Sequence, residues 1–375
     1  MIAIIADDLT GAAEMAGICL RFGLTVQLCT ENMGATTANV LIVSTDSRSM
    51  SAPAAIAITE SVCRKVLSLQ PTFIYKKVDS VLRGYVVEEL QVQMKLMGKK
   101  SAILLPANPS LGRTIQQGVY YIDGKPVHTT SFANDPEFPI RGSSIATMCN
   151  DATIKVLKHT DTFLEEGIAV GEVSTASDLA FWAATSLEKY VVAGAGDFFT
   201  AWLQQRYTQK EQSGCSFQLP FLYVCGTTYK RSVEEVQAIT KGKNVVVYLE
   251  IHPNTQSLCI DLNWLQRCKE VLQAAQKLVI AFDQATIPPH ISAVFLRNYM
   301  AAAVKEIVEN NPIKEMLVEG GSTANAVLKA LNMDAIHPIN EVMRGVVRMQ
   351  SNQLYITVKP GSYTLPAPIK ELFFS

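Results

Sequence analysis

The sequence predicts an α/β protein of two domains, each built on a mainly parallel sheet flanked by helices. Three observations carry that prediction. Short apolar runs repeatedly end in polar groups and pass into helical patterns, as at Ile2 to Ala6, Val40 to Ser44 and Phe73 to Tyr75, which is the rhythm of parallel strands joined by crossover helices. The chain has 375 residues, too many for one ordinary core. The rhythm then restarts after Thr208 to Gln218, the most polar non-periodic stretch in the middle of the chain, which sets a domain boundary there.

Composition narrows the partners. With 48% hydrophobic and 18% charged residues and a net charge of -1, neither disorder nor polyelectrolyte binding is favoured, so nucleic acid is not an expected partner. The longest apolar runs, such as Ala102 to Leu105 followed by Pro106, fall short of the roughly 20 residues a membrane helix needs. Asp7 and Asp8 interrupt the start before any signal-peptide core could form, and the expected compartment is the cytoplasm. Cysteines at positions 19, 29, 63, 149, 215, 225, 259 and 268 form no C-x-x-C pair, and histidines at 128, 159, 252, 290 and 337 show no ligand spacing. Reduced, mostly buried thiols and no protein metal cage are therefore expected.

The first strand, Ile2 to Ala6, delivers Asp7 and Asp8 into a turn ending at Thr10-Gly11, with a helix expected from Ala12. Strand carboxyl ends are where open α/β sheets bind ligands, so Asp8 reads as a group that can meet a substrate. The alternative is a helix cap, for which one carboxylate would suffice. Thr25 to Cys29 and Val40 to Ser44 read as strands, the latter entering Thr45-Asp46-Ser47-Arg48, and Ala54 to Leu69 as a crossover helix. After Phe73 to Tyr75 comes KKVDSVLRG, with Lys76, Lys77, Asp79, Ser80, Arg83 and Gly84 in nine residues. A helix starting near Ser80 would set Arg83 one turn from Asp79. That cluster is either a solvated helix start or a set of cations for an anionic small molecule, since arginine offers a fork that matches a carboxylate.

The strand Ala102 to Leu105 leads through Asn108 and Gly112-Arg113-Thr114 into GVYYIDGKPVHTTSFANDPEFP, a hairpin turning at Asp123-Gly124. Such an insertion is a lid or simple decoration. Asp197, ahead of FFTAWLQQ, is expected to cap a helix. In the second half, Pro220 to Cys225 enters Gly226-Thr227, Val245 to Leu249 and Leu278 to Phe282 are strands, and Ile291 to Glu309 is a helix. Then MLVEGGSTANAVLKAL gives a strand, Gly320-Gly321-Ser322-Thr323 and a helix from Ala324 to Leu331. Tandem glycines at a helix N-terminus outline a phosphate cradle, although they match neither the Walker nor the G-x-G-x-x-G pattern, and an ordinary glycine turn is the alternative. A last strand, Leu354 to Val358, runs into Lys359-Pro360-Gly361-Ser362.

Taken together these motifs resemble the four-carbon acid sugar kinase family, the ATP-dependent kinases of threonate, erythronate and oxotetronate. The carriers are IADDLTGA at Ile5 to Ala12, TDSR at Thr45 to Arg48, KKVDSVLRG at Lys76 to Gly84, PANPSLGRT with GVYYIDGKPV between Pro106 and Val127, and GGSTANAVL at Gly320 to Leu328. The resemblance implies a sugar-acid-binding domain over residues 1–212, a nucleotide-binding domain over 213–375, and catalysis in the cleft between them. It implies ATP and Mg²⁺ as cosubstrate and cofactor, and a sugar acid as the other partner. Asp8 would be the base or hydroxyl-orienting group and Asp7 a second carboxylate behind it or facing the metal. Arg48, Lys77, Asp79 and Arg83 would clamp the sugar acid. Thr227, Gly320, Gly321, Ser322 and Thr323 would hold the nucleotide, with Gly361 near its base or ribose.

Ser322 stands where the family's GGETA motif usually carries glutamate, and KPGSYT at 359–364 keeps the lysine and first glycine of K-x-G-N-F-G without the second. These departures keep a second class open, a sugar-acid-binding regulatory protein that has lost phosphoryl transfer. A third, an aspartyl-nucleophile phosphohydrolase, fits less well, because adjacent carboxylates diverge. Substrate stereochemistry, the accepting hydroxyl and the oligomeric state stay open, a homo-oligomer among the alternatives.

Overall fold

The computed structural model describes residues 1–30, 33–34, 36–135, 138–211, 214–227, 229–242, 244–251 and 257–374. Contacts divide the chain into two compact units, Met1–Val26 with Met33–Lys210, and Gln27–Asn32 with Glu211–Ser375. The sequence reading did not anticipate the short exchange near residue 27. Residues 212 and 213, where it put the boundary, lie outside the described residues.

In chain order the first unit carries β1 (Ile2–Ala6), α1 (Leu9–Arg21), β2 (Val26–Cys29, most of which counts with the second unit), β3 (Val40–Ser44), α2 (Ala52–Ser68), β4 (Phe73–Lys77), α3 (Val86–Met97) and β5 (Ser101–Leu105). It continues with β6 (Arg113–Gln116), β7 (Val119–Ile122), β8 (Lys125–Pro126), α4 (Ile145–Met148), β9 (Lys155–Leu157), β10 (Gly167–Gly171), α5 (Ala176–Ala184), β11 (Tyr190–Gly194) and α6 (Gly196–Gln204). Its main sheet runs β3-β1-β4-β11-β5-β10-β9, every pair parallel. Residues 2–6 and 40–44 are buried throughout, as strands covered on both faces require. The chain leaves β1 for a neighbour on one side, β3, and then for one on the other, β4. In open α/β sheets ligands bind beside such a reversal, here at the carboxyl ends of these three strands.

Four local expectations change. The first helix begins at Leu9, not Ala12, because Asp8 itself takes the cap position with extended backbone and accepts from the Gly11 N–H at 2.8 Å. No helix starts near Ser80. Leu82 and Gly84 both hold positive φ, which breaks any helix before Val86. The insertion is three-stranded, β6-β7-β8, with one two-residue turn at Gln117-Gly118 and another at Asp123-Gly124; all four residues have positive φ, as type I′ turns need. Asp197 does not cap its helix. It lies inside the first turn of α6 and accepts from the backbone N–H and hydroxyl of Ser110 at 2.9 and 2.8 Å, tying the loop after β5 to α6.

The second unit adds β12 (Phe221–Cys225), α7 (Lys230–Gly242), β13 (Val246–Leu249), α8 (Leu262–Ala275), β14 (Lys277–Phe282), α9 (Ala293–Asn310), β15 (Glu315–Glu319) and α10 (Gly321–Ala330). β16 (Ala335–Met343), β17 (Val346–Ser351), β18 (Leu354–Lys359) and α11 (Ala367–Phe374) follow. Strands β13-β14-β12-β15-β18 are parallel, then β17 and β16 continue antiparallel and β16 pairs with Leu28 and Cys29 of β2. Sequence reading missed α8, β16 and β17. Its expected helix start at Ala324 also moves, to Gly321, because Gly320 takes the cap at φ 100. The core packs Phe221, Tyr223, Val236, Ile239, Leu317 and Phe373 between the sheet and its helices. All eight cysteines are free, five of them buried, and no described helix is long and apolar enough to cross a membrane.

Candidate functional site

In the first unit the carboxyl ends of β1, β3 and β4 bring together most of the residues singled out in the sequence. Arg48, just after β3, is the hub. Its guanidinium pairs with Asp8 through Nη2, with Asp79 Oδ2 at 2.6 Å through Nη1, and approaches Asp7 Oδ2 at 3.9 Å. Arg83 grips Asp79 with two parallel contacts, Nε to Oδ1 at 3.1 Å and Nη2 to Oδ2 at 2.7 Å, and reaches Asp135 Oδ2 at 2.8 Å. Asp79 Oδ1 also accepts from the Val81 N–H at 3.0 Å, so the loop after β4 is folded around its carboxylate. Lys77 pairs with Glu14 Oε2 of α1 at 3.3 Å and donates to the Val78 carbonyl at 2.9 Å.

The two adjacent aspartates have opposite environments. Burial works to raise the Asp8 carboxyl, but Arg48, then Lys77, then hydrogen bonds from Thr10 and Gly11 outweigh it and hold it below its ordinary value. Burial pushes Asp7 up to about 6; Arg48 opposes the rise and the charge of Asp8 adds to it. Neither oxygen of Asp7 has a hydrogen-bond partner, and its carboxylate is enclosed. Against its own burial, Asp79 is held far below the carboxylate range by Arg83 and Arg48. Asp8 and Asp79 are therefore fixed anions, and Asp7 is the group poised to take up a proton.

In the second unit three neighbouring strand ends, β12, β15 and β18, present Thr227, Gly320–Thr323 and Gly361. Gly320 caps α10 without any side-chain bond, so the amides of Gly321, Ser322 and Thr323 open the helix with free donors. Thr323 Oγ1 donates to the Gly226 carbonyl at 3.3 Å, and a β-carbon on Gly361 would lie 2.6 Å from Thr227 Oγ1, so the three ends are in contact. Beneath them runs a pair that sequence reading did not single out. Lys359 Nζ and Glu319 Oε1, both fully buried, lie 2.8 Å apart; Tyr223 and Ser232 donate to the same carboxylate, and Lys359 also donates to the Pro360 carbonyl at 3.2 Å. Beside Thr227 a cavity of about 360 Å³ opens among Cys225, Val233, Val236, Tyr248 and Phe282. A larger one, about 580 Å³, lies at the amino ends of β1, β4 and β11, away from the charged cluster and from the glycine turn.

Glu14 and Asp135 were also missed. Glu14 is seven residues after Asp7 on α1, a spacing that could have shown it beneath Lys77, whereas Asp135 comes from a proline-punctuated loop with no local signal. Among the described residues no group of three or more histidine, cysteine or acidic side chains is arranged to hold a metal ion.

Residues 2–196 match the family described as a sugar-binding N-terminal domain, and residues 204–363 the one described as a nucleotide-binding C-terminal domain. A D-threonate kinase of Bordetella bronchiseptica is 28% identical over 92% of this chain and 88% of that protein. A 3-oxo-tetronate kinase of Brucella melitensis is 24% identical over 96% of this chain and 92% of its own. Among solved structures, a Haemophilus influenzae protein superposes with a TM-score of 0.74 at 16% identity, covering 99% of this chain and 98% of that one, and shares the fold.

Proposed function

Because the chain belongs to the four-carbon acid sugar kinase family, we propose that it is an ATP-dependent kinase of a small sugar acid of the threonate, erythronate or oxotetronate type. One observation supports this reading above the others: Asp8, Arg48 and Asp79 come from three different strand ends and join in a single ion-paired cluster, in the half of the chain that matches a sugar-binding domain. Phosphoryl transfer asks the protein mainly to position groups and neutralise charge. In this reading residues 1–212 hold the acid and residues 213–375 the nucleotide.

Asp8 accepts the hydrogen bond of the attacking hydroxyl. Held ionised by Arg48 and Lys77, it orients that hydroxyl and receives its proton as the phosphorus–oxygen bond forms. Arg48, Lys77, Asp79 and Arg83 form the clamp: the cationic N–H groups face the acid's oxygens and Asp79 fixes the two arginines. Asp7 supports Arg48 from behind. The orphan amides of Gly321 to Thr323 fit phosphate oxygens, and the apolar cavity beside Thr227 fits a nucleotide base, with Gly361 at its edge. ATP supplies the phosphoryl group and Mg²⁺ screens its charge. Such a cation usually takes most of its ligands from phosphate and water, so no dedicated protein cage is required.

The test is ADP release from Mg-ATP across D-threonate, D-erythronate, their oxotetronate relatives and larger sugar acids, with Asp8→Asn as the blank. Turnover on one acid that vanishes in the blank is the expected result. Thermal stabilisation by an acid without any ADP release would instead make the chain a binding protein, and no response to any acid would reject the reading.

A further inference from the structure

The cations of the clamp share one property: each is already matched by carboxylate. Arg48 meets Asp8 and Asp79, Arg83 meets Asp79 and Asp135, and Lys77 meets Glu14. Four carboxylates thus face three cations even before Asp7 is counted. An anion approaching these groups finds hydrogen-bond donors but no unmet positive charge.

Arg113 differs. It opens β6, in the segment that follows the carboxyl end of β5, and reaches the loop after β4, where Nη1 donates to the Ser80 hydroxyl. The same loop is pinned a second time by the hydroxyl of Tyr120 on β7, which donates to the Ser80 carbonyl. The guanidinium of Arg113 lies 5.6 Å from the Phe132 ring centroid, and that of Arg83 lies 5.3 Å from the same centroid. Arg113 therefore stands beside the clamp. Yet among the described residues no carboxylate pairs with it, and one hydrogen bond uses one of its five donors. A guanidinium held over an aromatic ring by cation–π attraction keeps its N–H groups available to an anion.

We propose that Arg113 is the residue that reads the substrate's carboxylate, its position set by Ser80 and Phe132, while the paired cations of the clamp contact the hydroxyl oxygens. The inference rests on the kinase reading and sharpens it. The insertion β6-β7-β8 then carries specificity for an acid over the corresponding neutral compound.

The experiment measures affinity by calorimetry, and KM where turnover occurs, for D-threonate and D-erythronate and for their uncharged amides, on the wild type, Arg113→Gln and Arg113→Lys. Losing a hydrogen-bonded charge contact weakens binding about 10- to 100-fold. The glutamine variant is expected to lose that factor in Kd and KM for the acid, with kcat little changed and the amide bound as before. The lysine variant, which keeps charge without the fork, falls between. Equal losses on acid and amide would assign Arg113 a purely structural part and overturn the proposal, as would an unchanged affinity for the acid. If the wild type binds no acid of the full panel, oxotetronates and larger sugar acids included, the kinase reading itself fails. If it binds one and the glutamine variant binds it equally well, only the Arg113 assignment fails. Should the glutamine variant not fold, the lysine variant decides, since its preference for acid over amide must still fall.

Discussion

The two units build their candidate sites from different materials. The first relies on side chains, with Arg48 joining Asp8 and Asp79 and Arg83 joining Asp79 and Asp135. The second relies on main chain, the open amides at the start of α10, propped by a buried Glu319–Lys359 pair that touches no solvent. A site made of side chains is fragile at each residue and specific for what it binds. A site made of backbone tolerates changes on its surface, provided the scaffold beneath it is intact. In the proposed reading Ser322, exposed on the first turn of α10, would contribute its amide and not its side chain.

The contrast can be broken at four points. Asp8→Asn should have the largest effect on turnover, a roughly 10²- to 10⁴-fold fall, with a measurable but smaller loss of thermal stability, since asparagine keeps the helix cap and loses the charge paired with Arg48. Steady-state kinetics with a melting curve on the same sample checks both halves. Lys359→Met leaves Glu319 buried without its cation and should cost about 3–5 kcal/mol in denaturant unfolding, with nucleotide affinity lost in parallel. Adding Glu319→Gln should restore part of that stability. A stable Lys359→Met protein with normal nucleotide binding would show that the cradle needs no charged support.

Asp7→Asn has the opposite sign. A carboxyl raised to about 6 in the folded protein binds a proton that the unfolded chain has released, so stability falls as pH rises from about 4 to 6 and stays lower above it. The substitution should therefore stabilise the protein by about 1–3 kcal/mol at pH 7 and by little at pH 4, read from unfolding curves at the two pH values. Asp79, held low by Arg83 and Arg48, acts the other way. It contributes stability above about pH 4 that is lost as acid protonates it. The smallest effect is expected from Ser322→Ala, a change of about twofold or less in nucleotide affinity by calorimetry. A large loss there would mean that the hydroxyl has taken over the part of the family's glutamate.

Legibility followed the same division. The side-chain cluster could be read residue by residue, because its members sit at the ends of apolar runs whose burial on both faces announces a parallel strand. Asp7, Asp8, Arg48, Lys77, Asp79 and Arg83 all lie there. Helix starts were less readable. Asp8 and Gly320 each moved one to an earlier residue by capping it, and a cap depends on backbone geometry that composition only suggests. β16 and β17 escaped because polar residues interrupt their apolar runs, His337, Asn340 and Glu341 in half-buried β16 and Arg348 in β17, which is buried along almost its whole length.

By itself the sequence determined the α/β class, the strand ends that carry charge and the glycine turn that opens α10, since these depend on local periodicity and on residue types adjacent in the chain. Tertiary structure alone decided which charges meet. Glu14 beneath Lys77, Asp135 against Arg83 and Lys359 against Glu319 are separated by 63, 52 and 40 positions, respectively. Ion pairing acts through space over a few ångströms, and only the packed sheet determines which distant residues come that close.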